Sequence, residues 1–303
     1  MKKYILYAFA LLAGAVSLAS CSDDDDLSKE SVITTDKVDY TDFDYWLKSN
    51  YVNTYNIEFL YRFQDIETDK NYYLVPADYK QSVELAHIVK HVCLEAFDEA
   101  AGINFTRANF PKQLYLVGNW EYKNNGTFVL GTAEGGKKIF LAGVNELDYH
   151  LKSAYELNHY YLKTIFHEFT HILNQTQDYS SDYKTITGSD YVAGSWSSSP
   201  YNVSSYYLTH GFISDYAQQE HAEDFAEMVS MYVTNSEEQW DAWMTAAGAD
   251  GASGASLLQS KLSSVKEYMS TTWGIDLDEL RTIVLRREAD VVNGKVDLTD
   301  LSI

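Results

Sequence analysis

The sequence is short of positive charge, cysteine and proline, and each shortage excludes something. There are 23 Lys and Arg against 44 Asp and Glu in 303 residues, a formal charge of −21. That balance argues against a nucleic-acid partner, because neutralising phosphates takes a clustered surplus of cations. The two cysteines, Cys21 and Cys93, lie in unlike settings, so no disulfide framework supports the fold. Three prolines (Pro76, Pro111, Pro200) and no repeat of about 20 to 50 residues exclude Pro-rich linkers, collagen and solenoid arrays. The apolar run Ile5 to Leu18 is too short for a membrane-spanning helix. What is present is 46% hydrophobic and 15% aromatic, enough for a proper core in one large domain or two small ones.

Lys2 and Lys3, the apolar run and then Leu18-Ala19-Ser20-Cys21 read as a secretory signal over residues 1–20 ending in a lipobox, with Cys21 as the lipidated residue. An ordinary signal with an incidental cysteine is the alternative. Losing Lys2 and Lys3 takes the charge from 23 − 44 = −21 to 21 − 44 = −23. The lipid, not a polybasic patch, must then hold the protein to a membrane. Residues 21–37, beginning Cys21-Ser22 and then four aspartates, read as an acidic solvated tether. The acidic run resembles a signal for display on the outer face of a Gram-negative outer membrane. Cys93 falls in a helical pattern and reads as a small core hydrophobe.

Residues 38–303 read as one domain of α+β class. Its parts are an α+β stretch (38–150), a central helical part (151–235) and a helical remainder (236–303). Tyr55, Ile57, Phe59, Tyr61 and Phe63 alternate with polar residues, Leu60 excepted, and predict a strand. Gln113–Val117 and Lys137–Val144 predict two more, the last read as an edge strand on which an extended peptide can lie, while Gly131 to Gly136 reads as a turn. Helical periodicity covers 78–100, 155–175, 219–232, 255–269 and 277–290, with Ser236 and Gln239 as a capping box opening a further helix.

His167-Glu168-Phe169-Thr170-His171 carries the chemistry. Residues four apart on a helix lie one above the other, so His167 and His171 can reach one Zn²⁺ at about 2.0–2.1 Å, with Glu168 beside them to act on a metal-bound water. Leu162, Ile165, Phe166, Phe169, Ile172 and Leu173 fall on the opposite side of the wheel, which gives this helix a core face and a ligand face. A catalytic zinc takes a third protein ligand and keeps one open position. Downstream, Glu223 and Glu227 share the polar side of a helix whose core face is Ala222, Phe225, Val229 and Tyr232. Glu223 is read as the third ligand and Glu227 as the carboxylate that accepts the free N–H of a ligand histidine. His221 is the rival, about 160° round the wheel, so only one of the two can face the metal.

His167 to His171 followed by Tyr216 and then Glu223-Asp-Phe-Ala-Glu227 resembles the gluzincin metallopeptidases, with a catalytic core similar to that of anthrax lethal factor. The resemblance implies a zincin-like fold, a small mixed sheet with an active-site helix and a helical C-terminal half. It also implies zinc on His167, His171 and Glu223, Glu168 as general base, and Tyr216 stabilising the oxyanion. Together with the lipobox and the Tyr55–Ile57 segment, the pattern resembles bacterial lipoproteins that are zinc metallohydrolases associated with TonB-dependent import. An importer complex is thus an implied partner.

The remaining histidines are read as bland, with one exception. His87 and His91 are four apart, but Ile88 replaces the glutamate, and they are read as surface; His150 and His159 are read as structural or exposed. His210, six residues before Tyr216, is read either as a substrate or oxyanion contact or as a loop histidine. The Tyr-rich connection 178–216 is read as a cleft wall suited to peptides or glycans. The expected function is a cell-surface metallopeptidase with one zinc per chain, cutting proteins, peptides or glycopeptides. The alternatives are a non-catalytic accessory lipoprotein that binds cargo for an importer, and an amidase or deacetylase acting on a glycan.

Overall fold

The computed structural model describes residues 39–303, apart from residues 65, 67, 69, 70, 124–127, 135 and 136. The signal segment 1–20, Cys21 and the tether 21–37 lie outside the described residues. Thr41–Ile303 forms one compact unit. No helix among the described residues is long and apolar enough to cross a membrane.

The fold is mixed α and β, with a small sheet and many helices. Strands β1 (Glu58–Leu60), β2 (Gln113–Leu116), β3 (Gly131–Glu134) and β4 (Lys138–Leu141) form one sheet in the order β1-β2-β4-β3. β1, β2 and β4 run parallel, and β3 is antiparallel to β4. β4 is therefore internal and, among the described residues, β1 and β3 are the edges, which corrects two expectations: Lys137–Val144 is not an edge strand, and Gly131–Glu134 is a strand rather than part of a turn. Gly131 supplies the physical reason. A Cβ there would lie 2.5 Å from the Phe140 carbonyl oxygen and 2.7 Å from Thr164 Cγ2, so glycine alone lets the chain press onto both β4 and the helix beneath it.

β1 is also shorter than the alternation predicts. Tyr55, Ile57, Phe59 and Tyr61 are all buried, so the period of two holds in packing, but only Glu58–Leu60 find ladder partners in β2.

Ahead of β1 lies a helix with no strong signal, α1 (Asp42–Leu47), opened by a capping box in which Thr41 and Asp44 bond each other's backbone N–H. Its Trp46 covers α2 (Tyr79–Ile88) and stacks on His87 at 4.1 Å. His87 is thus buried, with Nε2 2.9 Å from the Asp300 carbonyl, which corrects its reading as a surface residue.

Helix α3 (Lys163–Thr176) continues from a π-helical turn at Asn158–Leu162 and has no N-cap side chain. Its apolar stripe holds it instead: Ile165, Phe166, Phe169, Ile172 and Leu173 are buried, at roughly 1.5–3 kcal/mol each. Phe169 lies against Phe97 and Phe110, with ring centroids 4.9 and 4.8 Å away. Helix α4 (His221–Thr234) packs along α3, and α5 (Gly254–Trp273) and α6 (Leu277–Val292) pack on α4.

Asn158 joins three of these elements, donating from Nδ2 to the Thr234 carbonyl at the end of α4 (2.6 Å) and to Glu288 Oε1 on α6 (2.9 Å). Burial pushes the Glu288 carboxyl up to about 8, against a small opposing effect of the Asn158 bond. An acid raised in the folded state keeps its proton after the unfolded chain has lost it. Stability is therefore lost as pH rises from about 4.5 towards 8. Glu288→Gln is expected to leave the melting temperature nearly unchanged at pH 4.5 and to stabilise on the order of 5 kcal/mol above pH 8. Melting curves across that range check this, and a difference that does not grow with pH would contradict it.

Candidate metal centre

Two antiparallel-facing helices build the site, because each carries its polar residues one turn apart opposite a core stripe. α3 presents His167 and His171, and α4 presents Glu223 and Glu227. His167 Nε2 lies 2.9 Å from Glu223 Oε2 and 3.1 Å from His171 Nε2, and His171 Nε2 lies 3.2 Å from the same Glu223 oxygen. Among the described residues this is the one cluster of three or more His, Cys, Asp or Glu side chains whose ligand atoms converge.

The donor set fits zinc. Two imidazole nitrogens and a carboxylate oxygen are the ligand types zinc takes, and the donor separations of 2.9 to 3.2 Å approach the roughly 3.4 Å edge of a zinc tetrahedron. His167 is 5% exposed, whereas His171 and Glu223 are half-buried, so the cluster has a closed side and an open one.

Glu227 lies behind the cluster, 1% exposed. Its Oε1 is 2.9 Å from His167 Nδ1, Ser214 Oγ donates to its Oε2 at 2.6 Å, and Lys163 Nζ sits 2.9 Å away. With Nδ1 turned to Glu227, the other ring nitrogen faces the cluster. Burial raises the Glu227 carboxyl, but the Lys163 charge and the His167 contact outweigh it and hold it well below the usual range. For His167, burial opposes the proton, yet Glu223 and Glu227 hold its pKa up to about 10. Glu223 is brought down to about 2 because its contacts to His167 and His171 outweigh its own burial. Glu227→Gln is expected to weaken zinc binding about 10- to 100-fold while the fold persists. A competition titration with a zinc-responsive chelator reads this, and unchanged affinity would remove Glu227 from the metal's support.

Glu168 is half-buried on the same helix, and its charge acts on both His167 and Tyr216. The Tyr216 ring lies 5.9 Å from that of His167. Burial, followed by the carboxylates of Glu223, Glu227 and Glu168, pushes its phenol up, so it stays protonated and able to donate. The short turn Tyr216–Gln218 that carries it is capped by Asp215, which accepts from the Tyr216 N–H at 2.8 Å.

One rival ligand is not brought in, and His210 makes local contacts. His221 opens α4 with Nδ1 2.8 Å from the Tyr179 hydroxyl and is not part of the cluster. His210 stacks on Tyr206 at 4.0 Å with Nδ1 2.7 Å from its carbonyl, so its contacts fall within its own helical turn. The aromatic connection also divides. Tyr179 and Tyr183 are buried against Phe225 and belong to the core, while Trp196 is half-buried against Tyr216.

Sequence reasoning missed Lys163, Ser214 and Lys261. Lys163 stands four residues before His167, a spacing that signals a shared helix face. Lys261 is 0% exposed on α5, 2.6 Å from Asp224, 2.7 Å from the Gly211 carbonyl that it donates to, and 4.0 Å over the Phe212 ring. Tyr191 donates to the same Asp224 oxygen at 2.8 Å. This buried group fixes the residue next to Glu223 to the strand of chain that leads to Tyr216.

Residues 36–278 match the model of a family described as "putative zinc-binding metallo-peptidase", and the chain belongs to that family. The crystal structure of a putative zinc-binding metallo-peptidase from Bacteroides caccae ATCC 43185 is similar to it. The two are 40% identical with a TM-score of 0.74, over 90% of this chain and 100% of that one. No curated protein matches.

Proposed function

We propose that the chain is a zinc-dependent peptidase in which His167, His171 and Glu223 hold one metal ion and Glu168 is the general base. The observation that carries this reading is the convergence of His167 Nε2, His171 Nε2 and Glu223 Oε2 within 3.2 Å, with Glu168 and Tyr216 beside them. When bound, zinc supplies a Lewis acid that polarises a carbonyl and acidifies water. Glu168 takes the proton from the attacking water and returns it to the leaving amine. The Tyr216 hydroxyl donates a hydrogen bond to the carbonyl oxygen as charge develops there. Glu227, fixed by Lys163 and Ser214, orients the His167 ring. The outer side of β3, which lies over α3 at Thr164, offers a ladder to an extended peptide. That feature favours a peptide over a glycan, because a sugar chain has no ladder of N–H and C=O groups to return.

The setting belongs to the same proposal: a lipid on Cys21, surface display on a Gram-negative outer membrane, the tether 21–37, and service to a TonB-dependent importer. The accessory reading keeps the zinc but not the base, and Glu168 speaks against it. The test is to incubate the zinc-loaded chain with a peptide library and, separately, with an N-acetylated glycan. Peptide cleavage supports the proposal, glycan deacetylation alone replaces it with the deacetylase, and neither activity in a zinc-loaded chain favours the accessory.

A further inference from the structure

We infer that Trp196 forms a subsite beside the metal centre that accepts an aromatic side chain of a peptide next to the bond that is cut. This rests on the peptidase reading above and goes beyond it to the substrate. The segment Ala193-Gly194-Ser195-Trp196-Ser197-Ser198-Ser199 places one indole among side chains no larger than serine. The indole is half-exposed, and its centroid lies 5.0 Å from that of Tyr216 at an interplanar angle of 78°. Tyr216 in turn faces His167. The indole therefore stands one ring away from the ligands, with no bulky neighbour in its own loop to cover it.

The loop is held in place. The Val192 N–H donates to the Gln218 carbonyl at 2.8 Å, and Gln218 Nε2 donates to the Tyr201 carbonyl at 2.8 Å, so both ends are tied to the turn that carries Tyr216. Tyr191 ties the start of the loop to Asp224, the neighbour of Glu223. Ala193 is held at a φ of 49°, a left-handed conformation that L-residues rarely adopt and that persists only where surrounding contacts impose it. Trp196 is thus positioned by the same contacts that position Tyr216 and Glu223.

A fixed, half-open indole offers an edge or face to another ring, the geometry in which aromatic pairs attract. Sugar rings also stack on indoles, but the β3 edge can pair only with a peptide backbone, and a peptide extended along it carries its side chains out to either side. An aromatic residue flanking the cut is the group that reaches Trp196.

The test is a peptide library cut by the zinc-loaded full chain, by Trp196→Ala and by Trp196→Phe, with cleavage sites and kcat/KM read by mass spectrometry. The expected result is a preference for Phe, Tyr or Trp over Ala beside the scissile bond. Trp196→Ala should lower that ratio about tenfold, and Trp196→Phe should restore most of it. Equal losses on all peptides, with the ratio unchanged, would mean that Trp196 acts only by supporting Tyr216 and would overturn the inference, as would a parent chain that cuts without aromatic preference. Glycan deacetylation with no peptide cleaved would overturn the peptidase reading, and this inference with it.

Discussion

Glu168→Gln is expected to bind zinc as the parent chain does and to lose about 10²- to 10⁴-fold in peptide hydrolysis. Gln keeps the shape of the side chain and its place on α3 but cannot take a proton. The proposed ligand atoms belong to His167, His171 and Glu223, which this substitution leaves unchanged. His171→Ala, by contrast, removes one of three donors and should lose both metal and turnover. Metal content measured on the same samples as peptide turnover separates the two effects. Zinc-dependent turnover in Glu168→Gln at more than a tenth of the parent rate would sink the general-base role.

Lys261→Met carries the second large effect, and it is one of stability. Lys261 and Asp224 are both 0% exposed and 2.6 Å apart, and burial pushes the ammonium down and the carboxyl up, so each charge depends on the other. Removing the lysine leaves a buried carboxylate without its cation, at a cost of about 3–5 kcal/mol. The cost should appear as a fall of roughly 6 to 15 °C in melting temperature. Asp224→Asn combined with Lys261→Met should be less destabilised than the sum of the single variants, because the uncompensated charge is gone. A single variant within about 1 kcal/mol of the parent would mean that the pair contributes little.

The two helices of the candidate centre were readable because their pattern is local. An i,i+4 histidine pair on a helix whose other face is Leu162, Ile165, Phe166, Phe169, Ile172 and Leu173 declares both faces within one stretch, and Glu223 with Glu227 repeats the design. Where partners come from distant chain, the sequence was silent or misleading. His87 looked exposed on its own helix, and it is covered from distant chain, by Trp46 from a six-residue helix with little periodicity and by the Asp300 carbonyl. The edge of the sheet depends on which strand lies outermost, a matter of topology that Gly131 permits but does not announce. The Lys261–Asp224 pair spans α4 and α5, and a buried lysine looks no different in sequence from a solvated one.

An anomalous-difference map at the zinc edge, from crystals of the zinc-loaded chain, tests the central claim most directly. A single strong peak per chain is expected, bounded by His167 Nε2, His171 Nε2 and Glu223 Oε2, with one side left open towards Glu168 and Tyr216. A peak at another cluster, or a fourth protein ligand closing that open side, would contradict it.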